Sequence, residues 1–181
     1  MKTLLLMKHV ETGLDINHKG DWYRPLSDCG KMDASNIGEL LIAKNLYPDL
    51  ILTSSAIRTH QTAMIIANRF DRRCRLHRVD NLYLAETQVY YKEIQKVPDR
   101  VRTLLVVGHD PSLNRLMQVI IERIESIPTS GVACLTVLID SWKDFRYDVQ
   151  GKLLNLIELY PSPPSDVSLP LFTPMMRPWV E

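Results

Sequence analysis

Hydrophobic positions fall along this chain in two rhythms. Short, continuous apolar runs occupy residues 4–7, 50–53 and 104–107. Each is too short for a core helix and each is followed by polar or turn-forming residues, so these runs predict buried strands. Between them lie segments of helix length. Over 31–46, Ile37, Leu40, Leu41 and Lys44 share one side, and over 57–70, Ile57, Ile65, Ile66 and Phe70 do the same. The clearest helix follows His109. Leu113, Leu116, Met117, Ile120, Ile121 and Ile124 form one stripe at helical spacing, with Asp110 placed to cap the N-terminus and Pro111 at the first helical position. Two further runs, 132–139 and 153–160, have the branched content of strands and are joined through Asp140, Asp144 and Gly151, which places them at an edge of the sheet. Alternation of strand and helix predicts an α/β fold, a three-layer sandwich with a mostly parallel central sheet and helices on both faces.

The periodicity stops near residue 160. Six of the 11 prolines lie between Pro161 and Pro178, and no regular element runs through such spacing. The expected organisation is one domain over 1–160 and a Pro-rich tail over 161–181. Leu169, Leu171, Phe172 and Trp179 leave two readings of the tail open, an extended segment on the domain's own surface or a segment that binds a partner.

Composition narrows the class further. A chain of 181 residues that is 45% hydrophobic fits one globular domain and buries roughly 70% of its unfolded surface. Lys and Arg total 22 against 21 Asp and Glu, a formal charge of +1, which supplies no broad field for a polyanion, so nucleic acid is not an expected partner. No apolar run approaches the ~20 residues that cross a bilayer, and the apolar stretch before Lys8 is too short for a secretory signal. A cytoplasmic protein without a membrane partner is expected. Cys29, Cys74 and Cys134 are odd in number and widely separated, which points to free thiols; no metal site and no cofactor are expected. The sequence marks no self-association face.

Three segments carry chemistry together. The first predicted strand ends at Lys8-His9, the second runs into Ser54-Ser55-Ala56-Ile57-Arg58, and the third ends at Gly108-His109. In an open parallel sheet, ligands bind beyond the carboxyl ends of the strands, so these residues share one crevice. Arg58 offers a planar charged fork suited to phosphate oxygens, close to a predicted helix N-terminus. A neutral histidine in such a site is a competent nucleophile, because an N–P bond divides one difficult hydrolysis into two easier steps. Taken singly, each residue has an ordinary structural explanation. Their joint delivery to one end of the sheet points to phosphate chemistry.

These residues resemble the histidine phosphatase (phosphoglycerate mutase-like) superfamily, especially its small SixA-like phosphohistidine phosphatase branch. The matching segments are Leu5-Leu6-Met7-Lys8-His9, Arg24-Pro25-Leu26-Ser27 with Gly30, Thr53-Ser54-Ser55-Ala56-Ile57-Arg58-Thr59 with Gln61-Thr62-Ala63, and Val106-Val107-Gly108-His109-Asp110-Pro111. The likeness extends weakly through Ser130-Gly131-Val132-Ala133 and excludes the tail. It implies that His9 becomes transiently phosphorylated while Arg58 and His109 hold the phosphoryl oxygens, with Lys8, Ser54 and Arg24 binding substrate. It also implies a general acid between the second and third predicted strands, for which Glu86 is the best-placed candidate and Glu11 a weaker one. The short stretch from Phe70 to Arg102 leaves no room for a large cap, so the site is expected to be open.

The sequence departs from the family pattern where an Arg-His pair becomes Lys8-His9, where Val10 replaces a frequent Gly, and where Ala56 replaces a frequent Pro. The first change keeps the charge but loses the bidentate fork. The last is expected to loosen the loop carrying Arg58. His18, His60 and His77 are expected at the surface. The activity so implied is a metal-independent phosphatase acting on a phosphohistidine protein or a small phosphomonoester. The alternative is a catalytically weakened module that recognises phosphate or phosphoprotein.

Overall fold

In the computed structural model, residues 1–14, 20–70 and 74–159 are described. The elements run β1 (Lys2–Lys8), α1 (Asp28–Ala43), β2 (Leu50–Ser54), α2 (Ile57–Ala67), β3 (Arg75–Val79), α3 (Thr87–Ile94), β4 (Thr103–Gly108), α4 (Ser112–Ile121), β5 (Gly131–Val137) and β6 (Gly151–Glu158). His18, the predicted domain boundary at 160 and the Pro-rich tail lie outside the described residues.

One six-stranded sheet has the order β3-β2-β4-β1-β5-β6. The four strands from β3 to β1 pair in parallel, whereas β5 and β6 join antiparallel beyond β1, so the sheet is mixed. Strand alternation sends successive side chains of the central strands to opposite faces. Leu4 and Leu6 of β1 with Leu104 and Val106 of β4 pack in one core with Tyr90 and Ile94 of α3 and Leu113, Leu116 and Met117 of α4. Leu5 and Met7 with Leu105 and Val107 pack on the other face with Ile37 and Leu41 of α1 and Ala63 and Ile66 of α2. Both faces of β1 and β4 are therefore dry, which explains why they read as unbroken apolar runs rather than alternating ones.

Several elements differ from the expectation. The α4 helix begins at Ser112, with Pro111 at the N-cap position and no side-chain cap. Asp110 does not cap it, because its carboxylate is engaged by Lys8 Nζ at 3.0 Å. The helix ends at Ile121, where Glu122 turns left-handed, and Ile124 lies outside it, 94% exposed. The pattern from the sequence therefore overshoots by one turn. Neither β3 nor α3 was marked by an apolar run. β3 is an edge strand with Arg75, His77 and Arg78 exposed, and α3 is built on Tyr90, Tyr91 and Ile94 with polar residues between.

Candidate active site

The register of the parallel block places the site. Lys8 of β1 lies opposite Gly108 of β4, and Thr53 of β2 lies opposite Val107. The next residues, His9, Ser54 and His109, thus leave three adjacent strands at the same end. His9 remains strapped to the sheet, its backbone N–H donating to the Gly108 carbonyl at 3.2 Å. β4 lies between β1 and β2, and α1 and α2, which follow those two strands, pack on one face of the sheet while α4, which follows β4, packs on the other. A crevice opens at this switch point.

Backbone packing fixes His109. A Cβ on Gly108 would lie 2.3 Å from the Tyr90 hydroxyl, so only glycine admits that ring beneath the strand end. The hydroxyl oxygen in turn accepts the His109 backbone N–H at 3.3 Å. Tyr90 is fully buried. Burial raises its phenol to about 12, so it stays a neutral hydroxyl at any physiological pH.

The two imidazoles approach edge to face, with centroids 5.6 Å apart. His9 Nδ1 lies 2.9 Å from the Val10 carbonyl and donates to it, which leaves the Nε2 lone pair facing the crevice. Arg58 Nε donates to that nitrogen at 3.2 Å. Burial holds the His9 imidazole below its usual range, with Arg58 acting in the same direction against the Val10 hydrogen bond and Asp21. At His109, Nε2 lies 2.8 Å from Ser54 Oγ and Nδ1 lies 3.5 Å from Arg58 Nη2. Since Arg58 can only donate, Nδ1 accepts and Nε2–H points to the serine. Burial, then Arg58 and His9, lower the His109 pKa to about 4. Both rings are neutral at pH 7.

Arg58 is the centre of the arrangement. It is the second residue of α2 and only 4% exposed. Thr59 Oγ1 lies 2.9 Å from the Ser54 carbonyl and 2.8 Å from that of Ala56 and shares its one proton between them, a side-chain tie across the loop that has alanine in place of proline. Opposite Arg58 stands a residue that no pattern in the sequence singles out. Asp21, in a short 3-10 turn over Asp21–Tyr23, receives Arg58 Nη2 on Oδ2 at 2.7 Å and Nη1 on its carbonyl at 2.6 Å. Tyr83 Oη donates to the same carboxylate at 3.2 Å, and Arg24 Nη1 lies 3.5 Å from Oδ1. Partial burial raises the Asp21 carboxyl, but the hydrogen bond and charge of Arg58, with Tyr83 and Arg24, outweigh it and hold the group ionised below the usual range. Only the folded arrangement connects Asp21 to residues 37 and 62 positions away.

The other predicted residues distribute around this centre. Arg24 joins it through Asp21 and also donates to Thr12 Oγ1. Lys8 pairs with Asp110 at the rim. Glu11 is drawn elsewhere, to Ser27 Oγ at 2.7 Å. Glu86 occupies the N-cap position of α3 without a side-chain cap bond. It lines a cavity of about 350 Å³ with Tyr91, Pro111, Ser112, Arg115 and Tyr147, and neither histidine is among the lining residues. His77 is exposed, whereas His60 is partly buried with Nδ1 unpaired among the described residues. The three cysteines are free. Among the described residues, no three His, Cys, Asp or Glu side chains converge as metal ligands, and no helix is long and apolar enough to cross a membrane.

Comparison with known proteins places this geometry. No family model matches the chain. The uncharacterized Mycobacterium tuberculosis protein Rv1276c is 36% identical over 135 residues, covering 68% of this chain and 82% of that one, so the two belong to one family. A SixA structure from Agrobacterium tumefaciens superposes with a TM-score of 0.70 at 24% identity, over 86% of this chain and 97% of that one. The protein histidine phosphatase SixA complexed with tungstate superposes at 0.72 and 18% identity, over 86% and 96%. The chain therefore shares the fold of these SixA structures. Within that shared fold, Lys8-His9, Arg58 and His109 stand at the carboxyl ends of the parallel strands described above.

Proposed function

We propose that this protein is a phosphatase that passes the phosphoryl group through His9 without a metal. The observation that carries the reading is the His9 tautomer: Nδ1 is committed to the Val10 carbonyl, so Nε2 presents a lone pair beside a buried guanidinium. In the first step Nε2 attacks phosphorus and the bond to the leaving group breaks; in the second, water attacks the phosphohistidine and phosphate departs. Arg58, with Lys8 and Arg24 at the mouth, supplies positive charge to the phosphoryl oxygens. His109 gains a proton as the dianion arrives and then donates from Nδ1, while Nε2–H stays on Ser54. Glu86 is the carboxyl assigned to protonating an alkoxide leaving group and to activating water in the second step.

The substrate is a phosphohistidine-bearing protein or a small phosphomonoester reached through an open mouth. Likeness to SixA proteins supports the first class. We assign the domain to residues 1–160, the Pro-rich segment 161–181 to a separate tail, and the protein to the cytoplasm. Hydrolysis of p-nitrophenyl phosphate and of a phosphohistidine-bearing protein, under chelator, compares wild type with His9→Ala. Turnover that survives in the folded variant would refute the mechanism.

A second reading is favoured by one observation, the Lys8–Asp110 pair at 3.0 Å. It ties the lysine that replaces the family arginine to an internal carboxylate. On this reading the protein holds a phosphorylated partner stoichiometrically without turnover, and Lys8→Arg raises turnover sharply.

A further inference from the structure

The charges around the two histidines are already paired. Among the described residues, three cations meet there, Lys8, Arg24 and Arg58, and both carboxylates that reach them belong to the protein: Asp110 on Lys8, and Asp21 on Arg24 and Arg58. With both imidazoles neutral, the cluster carries a net charge of about +1 rather than the excess that a phosphate dianion would find in an unpaired site.

Arg58 shows how complete the pairing is. A guanidinium has five N–H donors. Nε–H goes to His9, one Nη1–H to the Asp21 carbonyl, and the two Nη2–H to the Asp21 carboxylate and, at 3.5 Å, to His109 Nδ1, so four of the five are engaged. Its side chain is 5% exposed whereas that of Asp21 is 44% exposed, so the arginine is fixed and the carboxylate covers it from the solvent side. The Asp21 carboxylate thus lies where an incoming anion would approach the fork. Asp21 sits on a 3-10 turn of three residues with no buried side chain, which is tied to the β2–α2 loop where Trp22 Nε1 donates to Ser55 Oγ at 3.3 Å.

We propose that Asp21 sets the anion selectivity of this site, occupying Arg58 as an internal carboxylate that a phosphoryl group must displace. The inference rests on the phosphate-site reading above and adds the substrate class to it. Displacement sets free phosphate at a disadvantage, because a bare anion exchanges one charge-assisted pair for another. A phosphoryl group carried on a macromolecule brings further contacts that offset the loss of the Asp21 pair. The site therefore favours phosphorylated protein over small phosphoesters and releases inorganic phosphate readily.

Titration calorimetry with inorganic phosphate on the full chain tests this. Asp21→Asn keeps the shape of the side chain and removes its charge; Asp21→Ser removes the carboxylate that reaches Arg58 Nη2 and leaves the backbone carbonyl on Nη1. Both variants are expected to bind phosphate about tenfold more tightly than wild type or better, with a lower KM for p-nitrophenyl phosphate and stronger product inhibition. Equal affinity in all three proteins overturns the proposal and leaves the phosphate site standing. Weaker affinity in the variants also overturns it, since Asp21 would then serve only to orient Arg58. If neither wild type nor variants bind phosphate while all remain folded, this proposal and the phosphate-site reading fall together.

Discussion

Arg58 donates from Nε to His9 Nε2 at 3.2 Å, so the guanidinium and the imidazole are bonded to each other before any ligand arrives. The bond holds His9 in the tautomer with Nε2 unprotonated, its lone pair accepting from Arg58. On the proposed mechanism, an arriving phosphoryl group draws Arg58 off that nitrogen, so that binding and release of the Nε2 lone pair are coupled. Substituting His9 by Ala is expected to lower turnover at least about a thousandfold without unfolding the protein, because the residue anchors to the sheet through its backbone N–H. Wild type quenched in alkaline denaturant, where the N–P bond survives, should carry phosphate on histidine during turnover, and His9→Ala should carry none.

The neutral state of His109 makes stability depend on pH. The folded ring titrates near 4 against an ordinary 6.5. Between those values the unfolded chain binds the extra proton and the native state refuses it, so stability rises with pH across that window and is lost as pH falls from about 6.5 toward 4. The loss amounts to as much as about 3 kcal/mol. His9, also held below its ordinary value, adds to it in the same direction. Urea denaturation at intervals from pH 4 to 7 should show the slope, and His109→Gln should flatten it.

Gly108 and Tyr90 form a matched pair. Gly108→Ala would drive a methyl to 2.3 Å from the Tyr90 hydroxyl and is expected to destabilise the fold by about 2 kcal/mol or more. Tyr90→Phe removes both the clashing oxygen and the acceptor of the His109 N–H. The double variant should therefore be less destabilised than the sum of the single ones. A double-mutant cycle on denaturation midpoints measures the coupling.

Glu86 separates substrates by their leaving groups. If it donates the proton, Glu86→Gln lowers kcat for an alkyl phosphate by a factor of about a hundred. It should leave p-nitrophenyl phosphate and phosphohistidine nearly untouched, since those leaving groups depart with little help. Equal losses on all three would assign Glu86 to binding in the cavity beside Arg115 instead.

The parts of the fold legible in the sequence were those where burial on both faces erases alternation. β1, β2 and β4 are the three central runs, and they deliver His9, Ser54 and His109. β3 escaped notice because an edge strand keeps Arg75, His77 and Arg78 in solvent. The α4 boundary was misjudged because Ile124 continues the apolar stripe after the backbone has turned at Glu122, and because Asp110 prefers a lysine across the sheet to the helix behind it. Asp21 was illegible for a different reason. A carboxylate in a polar loop has no period, and its partner Arg58 is reached only through the fold. Tyr90 carried a weak signal, an aromatic in a stretch of mixed polarity, but its service to His109 is visible only beside Gly108.

The register of Lys8 against Gly108 governs where this chain can change length. His9 and His109 each follow the last rung of their strand, so the spacing between the two rings is set by the ladder and not by the loops that follow. A residue added to or removed from β1 or β4 would turn one imidazole to the opposite face of the sheet. The same change in the crossovers between strands would pass without moving either ring. Growth and shrinkage of the molecule are thereby confined to its connections, while the two histidines travel together.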